Sequence, residues 1–208
     1  RTATELAARA EREGCAINRV LQVGHGTLRA VAMGDEARRP EPHELARMTQ
    51  LLHQSLQEAV GLSSGLAYPP GGWAERPELE ALARTLRRWR KLYTSHIRDE
   101  GDALEDSIEE ALAVGRVAGA VQISHLKAMW PRNWHKIAWL RRRLATARRE
   151  GIDVTADRYP YKAASTDLDY ILPGWLSEGG VKAEMQRMSS ETVRAALRVH
   201  MQELTDRT

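Results

Sequence analysis

Phenylalanine is absent from the 208 residues, and cysteine occurs once, as Cys15. A single thiol can form no internal disulfide and no cysteine-based zinc site, which removes the stapled extracellular scaffolds and points to a reducing compartment, the cytoplasm. An excess of charge is lacking too. The 31 Lys and Arg oppose 28 Asp and Glu, leaving +3, too small a surplus to imply a nucleic-acid partner. No apolar run approaches the ~18 residues of a bilayer-crossing helix, and no charged-then-apolar leader opens the chain, so no membrane association is expected. With 15 Gly and 8 Pro, collagen-like and low-complexity classes are excluded. The chain opens on Arg1 and not Met, with helix-prone residues from Thr2 to Arg12 directly behind it, which suggests a section of a longer protein.

Hydrophobic residues make 42% of the chain, enough for one domain-sized core. Short β-prone segments recur along it: Asn18 to Gly24, Gly61 to Leu66, Leu92 to Arg98, Ala120 to His125 and Ile152 to Asp157. Stripes at helical spacing separate them, such as Leu45, Met48, Leu52, Leu56 and Ala59, then Leu79, Leu82, Leu86 and Trp89. Strand–helix alternation at about 28–43 residues predicts right-handed βαβ units and a parallel sheet. A (β/α)8 barrel spends about 31 residues per unit, so five strands would be part of one. A doubly wound sheet is the competitor, but no Gly-x-Gly-x-x-Gly follows the first strand. The expected fold class is therefore α/β, a partial TIM barrel over residues 1–161. Residues 162–208, broken at Leu172-Pro173-Gly174 and Gly179-Gly180 and ending in a stripe from Val193 to Leu204, are expected to form a helical insertion or lid.

In parallel βα folds, reactive groups gather beyond the carboxyl ends of the strands. Here those ends carry His25, Tyr68, His96 with Arg98, His125 with Lys127, and Asp157 with Tyr159. His96 and His125 close successive strands, about 4.8 Å apart, so two imidazoles could share one metal ion; the competing reading is two hydrogen-bonded residues at a rim. Arg98 and Lys127 each stand two residues further on, and alternation would send both cations to the same cavity, where an anionic substrate suits them. Pairing with Asp99, Glu100 or Asp157 is their other fate. The runs Arg87 to Lys91 and Arg141 to Arg143 lie on helices and read as solvated outer faces.

Gly24-His25-Gly26-Thr27-Leu28-Arg29, the run from Gly61 to Gly71, Tyr93-Thr94-Ser95-His96-Ile97-Arg98-Asp99-Glu100-Gly101, Ile123-Ser124-His125-Leu126-Lys127 and the run from Asp153 to Tyr161 together resemble the N-acyl-D-amino-acid deacylases of the amidohydrolase superfamily. The resemblance spans nearly the whole chain, in order. It implies that the five strands are the third to seventh of a (β/α)8 barrel, followed by a lid. It also implies Zn2+, with His96 and His125 as ligands, and a small N-acyl-D-amino acid as substrate. Lys127 and Tyr159 would hold the substrate carboxylate and Tyr68 would line its pocket; Arg98 is carried over more loosely as substrate-binding.

The resemblance further implies a His-x-His pair, a metal-binding cysteine and a catalytic aspartate that have no counterpart in these residues, so no catalytic residue is assigned and the section alone is expected to be inactive. Met129-Trp130-Pro131 stands where small residues are expected, which implies an adjacent pocket of different shape. Two other readings compete: an amidohydrolase of cyclic amides, as dihydroorotase-like relatives are, and a non-catalytic module that associates through open sheet edges.

Overall fold

The computed structural model describes residues 3–14, 16–161 and 163–207, so Cys15 lies outside the described residues. Five parallel strands form one sheet in chain order: β1 (Gln22–Gly24), β2 (Gly61–Gly65), β3 (Leu92–His96), β4 (Ala120–Ile123) and β5 (Asp153–Ala156). A doubly wound sheet reverses its strand order at a switch point. This one runs without reversal, so the competing topology is excluded.

Among the described residues, eight α-helices accompany the strands. They are α1 (Ala3–Glu13), α2 (His25–Met33), α3 (Pro42–Ser55), α4 (Arg76–Trp89), α5 (Leu104–Ala118), α6 (Lys136–Arg149), α7 (Gly180–Met188) and α8 (Glu191–Arg207). No helix among the described residues is long and apolar enough to cross a membrane.

Alternation along the strands gives the sheet two unlike faces. Leu62, Tyr93, Val121, Ile123 and Val154 point one way and are buried in a single core with Met48 and Leu52 of α3, Leu79, Leu82 and Leu86 of α4, Ile108 and Leu112 of α5, and Leu140 and Leu144 of α6. Ser63, Thr94, Gln122 and Thr155 point the other way. Gln22 donates to Thr94 Oγ1 at 2.7 Å across the second face, and Gln122 donates to Asp157 at 2.8 Å. The helices cover the apolar face.

Local signals end the helices where the strands must begin. Pro42 occupies the first turn of α3, and Glu41 and Glu44 form a reciprocal capping box there. Gly119 takes φ +100° at the end of α5, a conformation that costs a glycine little, and β4 starts at the next residue.

The α5 helix approaches β4 closely because Gly115 has no side chain. A Cβ there would stand 2.5 Å from Cγ1 of Val121, whose branched side chain has little freedom to turn away. Gly115→Val is expected to cost about 3 kcal/mol, the upper end of overpacking, seen as a lower urea midpoint with an unchanged slope. A midpoint within error of the parent's would contradict this packing.

Candidate metal centre

β3 ends at His96 because the strand alternates: Tyr93 and Ser95 go under the helices, and Leu92, Thr94 and His96 face the other way. The register partner of His96 is Gly65 of β2, and that missing side chain leaves room for Tyr68, whose ring lies 5.1 Å from the His96 ring.

His125 follows β4 with φ +39°, a backbone conformation that branched and bulky residues rarely adopt. Asp157, just beyond β5, holds it there. Its side chain accepts from His125 N–H, its carbonyl accepts from Leu126 N–H at 2.8 Å, and its own N–H donates to Ile123 O at 3.2 Å. The result places the His96 and His125 ring centroids 4.4 Å apart, edge to face.

Glu100 completes the group. One carboxylate oxygen lies 2.8 Å from Nδ1 of His125, and the other lies 2.6 Å from Nζ of Lys127. The carboxyl side chain is 3% exposed. Ligand atoms of His96, Glu100 and His125 all lie within 4.8 Å of one another, the one such trio of His, Cys, Asp or Glu among the described residues. Nε2 of His96 is buried without a hydrogen-bond partner. A buried polar atom normally finds one, so an unpaired imidazole nitrogen on a ring of this trio fits a cation of the zinc type.

Burial lowers the His96 pKa to about 4, with His125 and Lys127 adding to the effect and Glu100 opposing it. The ring is therefore neutral at neutral pH, the form a metal needs. An unfolded histidine titrates near 6.5, so between about 6.5 and 4 the unfolded chain takes up a proton that the folded one refuses. Stability of the metal-free chain is expected to fall as pH drops through that window. Comparing urea midpoints at pH 7.5 and 5.5, His96→Asn should show a weaker pH dependence than the parent. An equal dependence would contradict this origin.

Most of the sequence-derived site residues come together. The Tyr159 ring lies 6.5 Å from that of His125, and Lys127 Nζ sits 5.3 Å from the Tyr159 centroid. Tyr68, besides touching His96, hydrogen-bonds Thr166 and lies 5.9 Å from the Tyr170 ring.

Arg98 does not join them. Its guanidinium donates to both oxygens of Glu110 at 3.0 Å, to Gly72 O at 2.7 Å and to Ala74 O at 2.8 Å, clamping the loop after β2 to α5. Alternation placed it in the histidine cavity on the premise that the strand continued, but β3 stops at His96 and the rule stops with it. Arg98 instead borders a neighbouring cavity of about 350 Å³, shared with Asp99, Trp130, Tyr170, Ile171 and Met201.

The remaining histidines and basic runs lie elsewhere. His25 is fully buried against Glu78, and His53 accepts from Trp89 Nε1. Arg87, Arg90 and Lys91 border a cavity of about 620 Å³ at the opposite, amino-terminal ends of the strands.

In the sequence Glu100 stands out only as a possible counter-ion for Arg98 or Lys127, and Asp157 as a strand-end carboxylate with no further role assigned; their aim at His125 depends on contacts 25 and 32 residues apart.

No family model matches the chain. An N-acyl-D-glutamate deacylase of Alcaligenes xylosoxydans xylosoxydans is 48% identical over 154 residues, covering 73% of this chain and 32% of that protein. The chain is a relative of the N-acyl-D-amino-acid deacylases. A crystal structure of N-acyl-D-glutamate deacylase from Bordetella bronchiseptica, in complex with zinc and a phosphonate mimic of the tetrahedral intermediate, shares 43% identity and a TM-score of 0.71 over 74% of this chain and 33% of that one. A D-aminoacylase with a binuclear metal centre shares 31% identity and a TM-score of 0.73, over 77% and 34%. The chain thus spans about a third of the length of these deacylases.

Proposed function

We propose that these residues form the metal-binding section of a (β/α)8-barrel hydrolase that cleaves the amide bond of N-acyl-D-amino acids, giving a D-amino acid and a carboxylate. The observation that carries this reading is the pair of imidazoles, His96 and His125, 4.4 Å apart at neighbouring strand ends, with His96 Nε2 buried and unpartnered. The unreversed strand order supports β1 to β5 as consecutive strands of one barrel, and α7 and α8, which follow β5, suit its lid.

In this reading His96 and His125 hold zinc. Bound there, zinc would polarise the amide carbonyl and supply a water acidic enough to attack near neutral pH. Lys127, cationic and 15% exposed, offers its remaining proton to the substrate carboxylate, and the Tyr159 face beneath it gives that carboxylate a wall. Tyr68 walls the opposite side, next to His96.

N-acetyl-D-glutamate with zinc tests the proposal. The parent protein containing this section is expected to release acetate from the D enantiomer and not the L. The 208 residues alone, lacking counterparts of the His-x-His pair and the aspartate, are expected to release none. A parent without turnover would overturn the activity, and turnover by the 208 residues would overturn the need for further parts.

A further inference from the structure

Resting on that reading, we propose that Glu100 is the positioning residue of the centre: its carboxylate bridges His125 and Lys127, fixing the His125 ring with its proton on Nδ1 and Nε2 free for the metal. An ionised carboxylate accepts hydrogen bonds and cannot donate them. Oε1 of Glu100, 2.8 Å from Nδ1 of His125, is placed to accept a proton carried on that nitrogen. Lys127 Nζ lies 3.2 Å from that same nitrogen, but both are then donors. Their proximity follows from reaching for one carboxylate, since Nζ is 2.6 Å from Oε2 and also donates to His125 O at 3.0 Å.

The backbone that carries Glu100 is itself held. Met129 N–H donates to the Glu100 carbonyl at 2.7 Å, and the Asp99 side chain just before it accepts from Gly101 N–H at 2.6 Å. Which nitrogen of an imidazole meets a metal is set by the hydrogen bond that the other one makes, and a carboxylate in that place both orients the ring and raises its basicity. Glu100 thereby ties the group that would hold zinc to the group that would hold the substrate carboxylate.

Long-range 1H–15N spectra of the histidine-labelled chain at pH 8, metal-free, read the tautomer, and competition with a chromophoric chelator reads zinc affinity. His125 is expected to be protonated on Nδ1 in the parent. Glu100→Leu should lose that preference and bind zinc about 10–100-fold more weakly, the usual cost of an outer-shell partner.

Glu100→Gln, which folds if the buried leucine variant does not, offers one acceptor oxygen to two donors and should fall between. Lys127→Met should keep the Nδ1 proton and bind zinc no more weakly. His125 protonated on Nε2 in the parent, or parent-like tautomer and affinity in both Glu100 variants, would overturn the proposal. If the parent chain takes up no zinc at all, the metal reading fails, and the tautomer comparison still decides the role of Glu100.

Discussion

His125→Ala is expected to abolish specific zinc uptake, and with it the deacylation proposed for the longer protein. The ring is the better oriented of the two, with Asp157 holding its backbone and Glu100 its Nδ1. Removing it leaves His96 alone, and a single neutral nitrogen cannot compete with water for the ion. The loss should exceed the ~10–100-fold that removal of an outer-shell partner costs. His96→Ala should act alike, by deleting the buried, unpartnered Nε2.

Tyr68→Phe separates ligand from wall. Its hydroxyl is engaged with Thr166 and not with either histidine, so zinc affinity should stay within a few-fold. Parent-like zinc binding by both alanine variants would show that the imidazoles pair with something other than a cation.

A comparably large effect, on stability, is expected from Glu78→Leu. Glu78 sits in the first turn of α4 and receives Nε2 of His25 at 2.7 Å and a guanidinium nitrogen of Arg29 at 2.5 Å, all three side chains at most 3% exposed. The trio joins the start of α2 to the start of α4. Arg29 is otherwise met by the carbonyls of Arg38 and Glu36, at 3.0 and 3.4 Å.

Without Glu78 its charge stays buried and uncompensated, a loss of about 3–5 kcal/mol. Domains carry roughly 5–15 kcal/mol in all, so Tm should fall by roughly 6–20 °C at this chain length. The double variant Glu78→Leu with Arg29→Met removes the orphaned charge as well, and should recover part of that fall. A single variant within ~1 kcal/mol of the parent, by calorimetry or urea, would contradict this account of the trio.

Much of the fold was legible because its cause is local. β2, β3 and β4 begin at residues 61, 92 and 120, where the β-prone segments begin, since each is a short alternating run stopped by the next turn. β1 is shorter than the sequence suggests. As an edge strand it pairs on one side only, from Gln22, although Leu21 O still accepts from Val60 N–H at 2.8 Å.

The helices α2 and α7 were not legible. Glycines flanking His25 and at 179–180 read as breaks, while in the fold Leu28 and Met33 are buried and α2 starts directly on His25. Trp130, in an unexpectedly bulky stretch, found its place through a distant glycine: its ring packs where a Cβ of Gly101 would stand, 2.5 Å away, and Arg132 stacks on it at 4.7 Å.

At the site, strand ends gave away His96, His125 and Lys127, because the carboxyl ends of parallel strands converge. Arg98 went elsewhere as soon as the backbone left the strand, and Glu100 emerged only once two loops were folded against each other.

Crystals of the protein grown with zinc, recorded on both sides of the zinc absorption edge, put the question directly. The account predicts an anomalous peak about 2.0–2.1 Å from one nitrogen of each of His96 and His125. A peak bound to neither ring, or to one alone with the other turned away, would contradict it.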